Sequence, residues 1–243
     1  MYIQYFKWAL LFRGDNGISG IIGGNPTERL YKKMFTTLGK YKIVPLLTIK
    51  DIEIADALKV AESLIKGGLP AMEITFRRYS DSKAIREIAR EFPDFLIGAS
   101  GILNKDQFLR AVDSKAKFAT APGVCEDSIR IAVKSPIVFA PGANTPSDIE
   151  RILLNSCVHF QFFPAEASGG VDYLKAILEP FEHLPLDILP KGGITLDKIK
   201  DYLKIPQVYA VSLENILLAE YVVNKQWDKI TESAKSALGA ALS

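Results

Sequence analysis

From about residue 40 to near its end, the chain alternates between short apolar runs and longer stretches with helical spacing. A strand covered on both faces reads as an unbroken apolar run, so these runs read as strands of a parallel sheet sandwiched by helices. Strand candidates are residues 43–48, 71–76, 95–99, 118–121, 137–140, 159–163, 186–190 and 208–211. Helical spacing occupies 52–66, 82–91, 105–112, 146–154 and 171–178, and Gly67-Gly68 ends the first of these. Asn25 before Pro26 fits a cap with proline in the first turn, leading an earlier helix to about Leu38. Eight strands with interleaved helices in 243 residues predict an α/β fold: one (β/α)8 TIM barrel over residues 26–243 with an N-terminal helix. An open doubly wound sheet is the alternative, but it would lack a dinucleotide-binding fingerprint.

Residues 1–25 read as an N-terminal extension with no catalytic role. The apolar run at 1–12 is too short to span a bilayer, and no small-residue cleavage site follows it. The glycines at 14–24 match no phosphate-binding loop, because no Lys-Ser or Lys-Thr pair ends them. Thirty basic against 28 acidic residues leave a net charge of +2 and no dense basic block, which argues against nucleic acid as a partner. Two histidines, His159 and His183, disfavour a His-rich metal centre. Cys125 and Cys157 lie far apart without metal-type spacing, and read as two reduced thiols of a cytoplasmic protein.

In a barrel of this kind, chemistry sits where strands end and their following loops begin. The unusual polar residues fall there. Glu73, Thr75 and Arg77 alternate at the end of the second run, which puts them on one side of that strand. Gln161 ends the sixth run, within Gln161-Phe162-Phe163-Pro164-Ala165-Glu166, and Lys191 ends the seventh, within Pro190-Lys191-Gly192-Gly193. Such convergence of polar residues from separate strands is more specific than any one motif.

Residues 40–240 resemble the bacterial 2-keto-3-deoxy-6-phosphogluconate (KDPG) and 4-hydroxy-2-oxoglutarate (KHG) aldolase family. The phrases that carry the resemblance are Glu73-Ile74-Thr75-Phe76-Arg77, Gly98-Ala99, Ala121-Pro122-Gly123, Pro141-Gly142 with Thr145-Pro146-Ser147-Asp148, Phe162-Phe163-Pro164-Ala165-Glu166 and Gly192-Gly193-Ile194. The resemblance implies a barrel, a homotrimer, and cleavage of a 2-keto-4-hydroxy acid to pyruvate and an aldehyde with no metal or other cofactor. It implies Glu73 as general acid/base and Arg77 beside the substrate carboxylate. It also implies phosphate held by the backbone N–H groups of Gly192 and Gly193. Thr75, on the Glu73 side, reads as lining the pocket or filling a core layer, and Pro122 is a substrate-binding candidate.

The chain departs from that pattern at several positions. Gln161 stands where the family carries its Schiff-base lysine, and Lys191 where it usually carries threonine. Gly101 replaces a common threonine, Ala121 a serine, and Ser212-Leu213-Glu214-Asn215 a Gly-Gly-Ser phosphate segment. A carboxylate at Glu214 repels phosphate if it points inward and is an ordinary solvated loop acid if it does not. Adjacent strands lie about 4.8 Å apart and a lysine stem is long, so an amine moved one strand over still reaches the same ketone. Lys191 is therefore expected to form the imine, with uncharged Gln161 hydrogen-bonding substrate or intermediate. The alternative is a silent barrel that binds a keto acid or a partner, in which Lys191 only neutralises Glu73 or Glu214. His159 shares strand parity with Gln161 and reads as a satisfied core histidine; Phe162 and Phe163 read as packing residues; and the loop at 166–170 reads as a lid or a structural turn.

Overall fold

A computed structural model describes residues 38–48, 51–132 and 134–243. Its strands are β1 (Ile43–Leu47), β2 (Ala71–Thr75), β3 (Leu96–Ser100), β4 (Phe118–Thr120), β5 (Val138–Ala140), β6 (Gly142–Ala143), β7 (His159–Phe162), β8 (Asp187–Pro190) and β9 (Val211–Leu213). The helices are α1 (Ile54–Lys66), α2 (Tyr79–Glu91), α3 (Lys105–Asp113), α4 (Glu126–Ala132), α5 (Pro146–Leu154), α6 (Gly170–Leu178), α7 (Ile199–Leu203), α8 (Ala219–Val223) and α9 (Trp227–Leu242). All pairings are parallel. They form a curled six-stranded sheet in the order β5-β4-β3-β2-β1-β9 and a three-stranded sheet in the order β6-β7-β8.

Two features join these sheets. β5 and β6 are separated only by Pro141, which has no N–H to give a ladder. On the other side, isolated parallel bridges pair Ile188 with Val208 and Lys191 with Ser212. The last expected strand, 208–211, is displaced: Val208 makes a single bridge, and the ladder proper begins only at Val211, which pairs with Ile43. Of the expected helix from Asn25, only the end at Leu38 falls within the described residues, in a helical stretch reaching Tyr41.

Strand parity divides the apolar residues into two cores. Val44, Ala71, Leu96, Phe118, Val138, Leu189 and Ala210 come from seven different places on the strand set and pack together on the concave side, with Leu38 beneath them. The opposite faces of the strands, including Ile43, Leu47, Met72, Ile74, Ile97 and Ala99, pack against the helices. Fully burying one such aliphatic side chain is worth roughly 1.5–3 kcal/mol, so parity fixes which residues look inward. Local signals set the helix starts. Thr145 and Asp148 form a reciprocal capping box with Pro146 in the first turn of α5, and Asn104 accepts from the Gln107 backbone N–H at 2.9 Å to start α3.

Gly98 makes room for the inner core. A Cβ there would fall 2.3 Å from the Phe118 ring, and Gly98 pairs in register with Glu73. Gly98→Ala is expected to lower stability by about 1–3 kcal/mol through overpacking, read as a lower urea midpoint at unchanged m-value.

Candidate active site

Two residues beyond the inner apolar layer, the same strand parity delivers polar groups. Glu73 follows Ala71, Thr120 follows Phe118, Gln161 follows His159, Lys191 follows Leu189 and Ser212 follows Ala210; Ser100 follows Gly98. All six are buried. Glu73 is completely covered and the Lys191 side chain is 5% exposed, which makes their contact a buried ion pair.

The pair is well supplied with partners. Lys191 Nζ donates to Glu73 Oε1 at 2.8 Å and to Ser100 Oγ. Ser212 Oγ donates to Glu73 Oε1 at 2.7 Å, and Thr120 Oγ1 lies 2.9 Å from Glu73 Oε2 and 3.3 Å from Ser100 Oγ. A buried charge pair is tolerated when both ions are hydrogen-bonded as well as paired, and that condition is met here. Gln161 donates its Nε2 to the Ala121 carbonyl, while its buried Oε1 has no hydrogen-bond partner among the described residues. An acceptor buried without a donor costs about 1–3 kcal/mol, so this oxygen marks a place suited to a ligand donor.

The other expected site residues lie nearer the rim. Thr75 ends β2, is half-buried, and shares a 2.8 Å hydroxyl contact with Thr48. Arg77 lies past the strand end, so the alternation that would align it with Glu73 stops at Thr75. Its side chain is exposed, and its backbone N–H donates to Asp81 Oδ2 at 2.7 Å in the cap of α2. Pro122 is exposed in the turn after β4. Gly192 and Gly193 have φ of 104° and 75°, left-handed values that favour glycine, and a Cβ on Gly192 would meet the Phe163 ring at 3.3 Å. The Glu214 side chain belongs to an exposed residue, in keeping with a solvated loop acid.

Glu166 is fixed rather than loose: its Oε1 accepts from Tyr202 at 2.7 Å and its Oε2 from Lys198, tying the 166–170 turn to the segment around α7. Burial, reinforced by the Glu166 carboxylate, pushes the Tyr202 phenol well up and keeps it a donor. His159 Nδ1 lies 3.2 Å from Asp187 Oδ2 at the strand starts, away from the amine. Phe162 is fully buried and packs beside Tyr173, with ring centroids 6.1 Å apart.

Both cysteines are free thiols. Burial pushes the Cys157 thiol up to about 12, and Cys157 Sγ donates to the His159 carbonyl at 3.2 Å. Thiolate is the reactive form, so at pH 8 a disulfide reagent is expected to titrate half-buried Cys125 first. Cys157 is expected to react only on unfolding, a one-then-two stoichiometry read by absorbance.

Ser100 and Thr120 are members of the buried network that no sequence motif marks, and Ser212 stands out in the sequence only within the Ser212-Leu213-Glu214-Asn215 segment. Their signal was parity: each shares the inward face with a residue of the inner core. Among the described residues no group of three or more His, Cys, Asp or Glu side chains could hold a metal, and no helix is long and apolar enough to cross a membrane.

A curled parallel α/β sheet carries this buried lysine–carboxylate pair at its strand ends, and residues 35–233 match the family model for KDPG and KHG aldolases. The chain belongs to that family. It is 37% identical over 199 residues to a 2-dehydro-3-deoxy-phosphogluconate aldolase of Pseudoalteromonas atlantica, covering 82% of this chain and 91% of the relative. It is 33% identical to the KHG/KDPG aldolase of Escherichia coli K12, covering 82% and 92%. Among solved structures, the KDPG aldolase of Legionella pneumophila, with pyruvate captured at low pH as a covalent carbinolamine, superposes with a TM-score of 0.78 at 32% identity, covering 89% of this chain and 99% of that one. These relatives are named as aldolases, which are aldehyde-lyases.

Proposed function

We propose that the protein is a class I aldolase that cleaves a 2-keto-4-hydroxy acid, of the KDPG or KHG type, to pyruvate and an aldehyde through an imine on Lys191. The observation that carries this is the 2.8 Å contact between Lys191 Nζ and Glu73 Oε1. The amine that left the usual strand has its proton acceptor directly beside it, on the inward face. The frame in this reading is a closed eight-stranded barrel, supported by the single residue between β5 and β6 and by the isolated bridges at Lys191–Ser212 and Ile188–Val208. Three copies of the chain form the working trimer, as the family resemblance implies, in the cytoplasm.

Lys191 gives one proton to Glu73 and attacks the C2 ketone as the free amine. A proton moves from nitrogen to the new alkoxide, giving the neutral carbinolamine. Glu73 then returns its proton to the hydroxyl, which leaves as water as the C=N bond forms. The imine nitrogen keeps one hydrogen and a positive charge, and that charge accepts the C3–C4 electron pair when the C4 hydroxyl loses its proton. The aldehyde leaves, C3 of the enamine is reprotonated, and hydrolysis releases pyruvate. Glu73 moves these protons, with Thr75 lining the wall. Arg77 clamps the carboxylate from the rim in two-point fashion. Gln161 Oε1, buried without a partner among the described residues, accepts from the substrate or intermediate. Pro122, Gly192 and Gly193 shape the far end, where the two left-handed glycines offer backbone donors to an anionic tail.

The second reading, a silent barrel that binds a keto acid or a partner, is favoured by the same ion pair: Lys191 is fully engaged with Glu73 and Ser100. Borohydride reduction in the presence of pyruvate separates the two. A mass adduct on Lys191, together with pyruvate release from KDPG or KHG in a coupled dehydrogenase assay, supports the aldolase. Saturable keto-acid binding without adduct or turnover supports the silent barrel.

A further inference from the structure

The hydroxyls around the pair have one proton each, and that constraint sets the direction of the hydrogen bonds. Glu73, as a carboxylate, only accepts. Thr120 Oγ1 touches both Glu73 Oε2 and Ser100 Oγ but has a single proton. That proton goes to the charged acceptor, since charge-assisted hydrogen bonds are the stronger. Ser100 Oγ already accepts from Lys191, so its own proton points to Thr120 Oγ1. The chain therefore runs one way: Lys191 N–H to Ser100, Ser100 O–H to Thr120, Thr120 O–H to Glu73 Oε2. Independently, Lys191 and Ser212 both donate to Glu73 Oε1.

Building on Lys191 as the nucleophile, we propose that Ser100 and Thr120 form a proton relay that discharges the Lys191 ammonium onto Glu73 Oε2. In one step, Nζ gives a proton to Ser100 Oγ, Ser100 passes its own to Thr120 Oγ1, and Thr120 passes its own to Oε2. The products are a neutral amine and a carboxylic acid; both hydroxyls are restored, and no outside acid or base is consumed. The nitrogen lone pair first faces Ser100. The new Ser100 O–H turns away and a turn about Cε–Nζ swings the lone pair towards the ketone, with one N–H still held by Oε1. The proton rests on Oε2, while Oε1 goes on accepting from Lys191 and Ser212. In the reverse sense the relay returns the proton when the lysine is released. Ser100 and Thr120 are positioning and relay groups; the nucleophile remains Lys191.

The test is the pH dependence of adduct formation on the full chain, using pyruvate and cyanoborohydride with the product mapped by mass. Variants are Ser100→Ala, Thr120→Val, which keeps the shape of threonine, and Thr120→Ser, which keeps the hydroxyl. With the relay, Thr120→Val and Ser100→Ala slow labelling of Lys191 near neutral pH by about tenfold. This is less than the roughly 10²-fold or greater effect of a lost acid–base group, because the direct path to Oε1 survives. The deficit shrinks as pH rises and hydroxide takes over the deprotonation, and Thr120→Ser follows the wild type. A packing role gives a deficit that is flat with pH. Either a flat deficit or unchanged labelling in both Thr120→Val and Ser100→Ala overturns the relay and leaves the Lys191 adduct of the wild type standing. Absence of any wild-type adduct overturns the nucleophile itself, and the relay with it. Circular dichroism identifies a variant that has not folded, and the pH profile of the other then decides.

Discussion

Lys191→Met is expected to abolish pyruvate release, by about 10⁴-fold or more in kcat, and to eliminate the borohydride-trapped adduct. The same substitution is expected to destabilise the fold, because it removes the only cation described beside Glu73 while the carboxylate stays fully buried. Breaking a buried pair from one side costs about 3–5 kcal/mol. Ser212 and Thr120 still donate to the stranded carboxylate, which argues for the lower end of that range. Neutralising the other member should repair the fold but not the chemistry. The double variant Lys191→Met with Glu73→Gln is expected to regain most of the lost stability, while remaining inactive. Urea midpoints for the four corners of this cycle, with activity at each, separate the structural and catalytic uses of one contact. Retained activity in Lys191→Met would remove Lys191 as the nucleophile. Additive stability losses would show that the pair is held apart in solution.

The fold was largely legible because parallel strands covered on both faces leave unbroken apolar runs, and the runs starting at Ile43, Ala71 and Phe118 begin where the strands begin. Short helices were harder. α7 and α8 span only five residues each, too few for helical periodicity to declare itself. The last strand was misplaced because Val208 to Val211 is apolar throughout, and only pairing with β1 decides where its ladder starts. At the site, Glu73 and Lys191 were visible as charged residues ending apolar runs. Ser100, Thr120 and Ser212 were not, since a serine or threonine in a strand is unremarkable until its inward neighbours are known. Arg77 shows the limit of parity: two residues past Thr75 the chain enters the cap of α2, and alternation no longer applies.

Moving the amine back is the sharpest test of whether one cavity serves both strand positions. Gln161→Lys alone places a second amine on the strand next to that of Lys191. Two ammonium groups about 5 Å apart in a partly screened interior repel by roughly 3 kcal/mol, so the single variant is expected to be less stable than the wild type and to carry one neutral lysine. Lys191→Thr alone leaves no amine beside Glu73, and is expected to lose activity as Lys191→Met does. Together the two exchanges leave one amine and one carboxylate, so their effects should be strongly non-additive. The double variant is expected to trap pyruvate at position 161 and to recover at least about 10²-fold of the activity lost in Lys191→Thr, read by the coupled assay and peptide mapping. The new amine would find the Ala121 carbonyl that Gln161 Nε2 now occupies, so it starts with a hydrogen-bond acceptor in place. Failure to trap at position 161 in a folded double variant would mean that the surrounding hydroxyls, Ser100 and Thr120 above all, have committed the cavity to an amine arriving from β8. The relocation would then be a change of the whole buried network rather than of two residues.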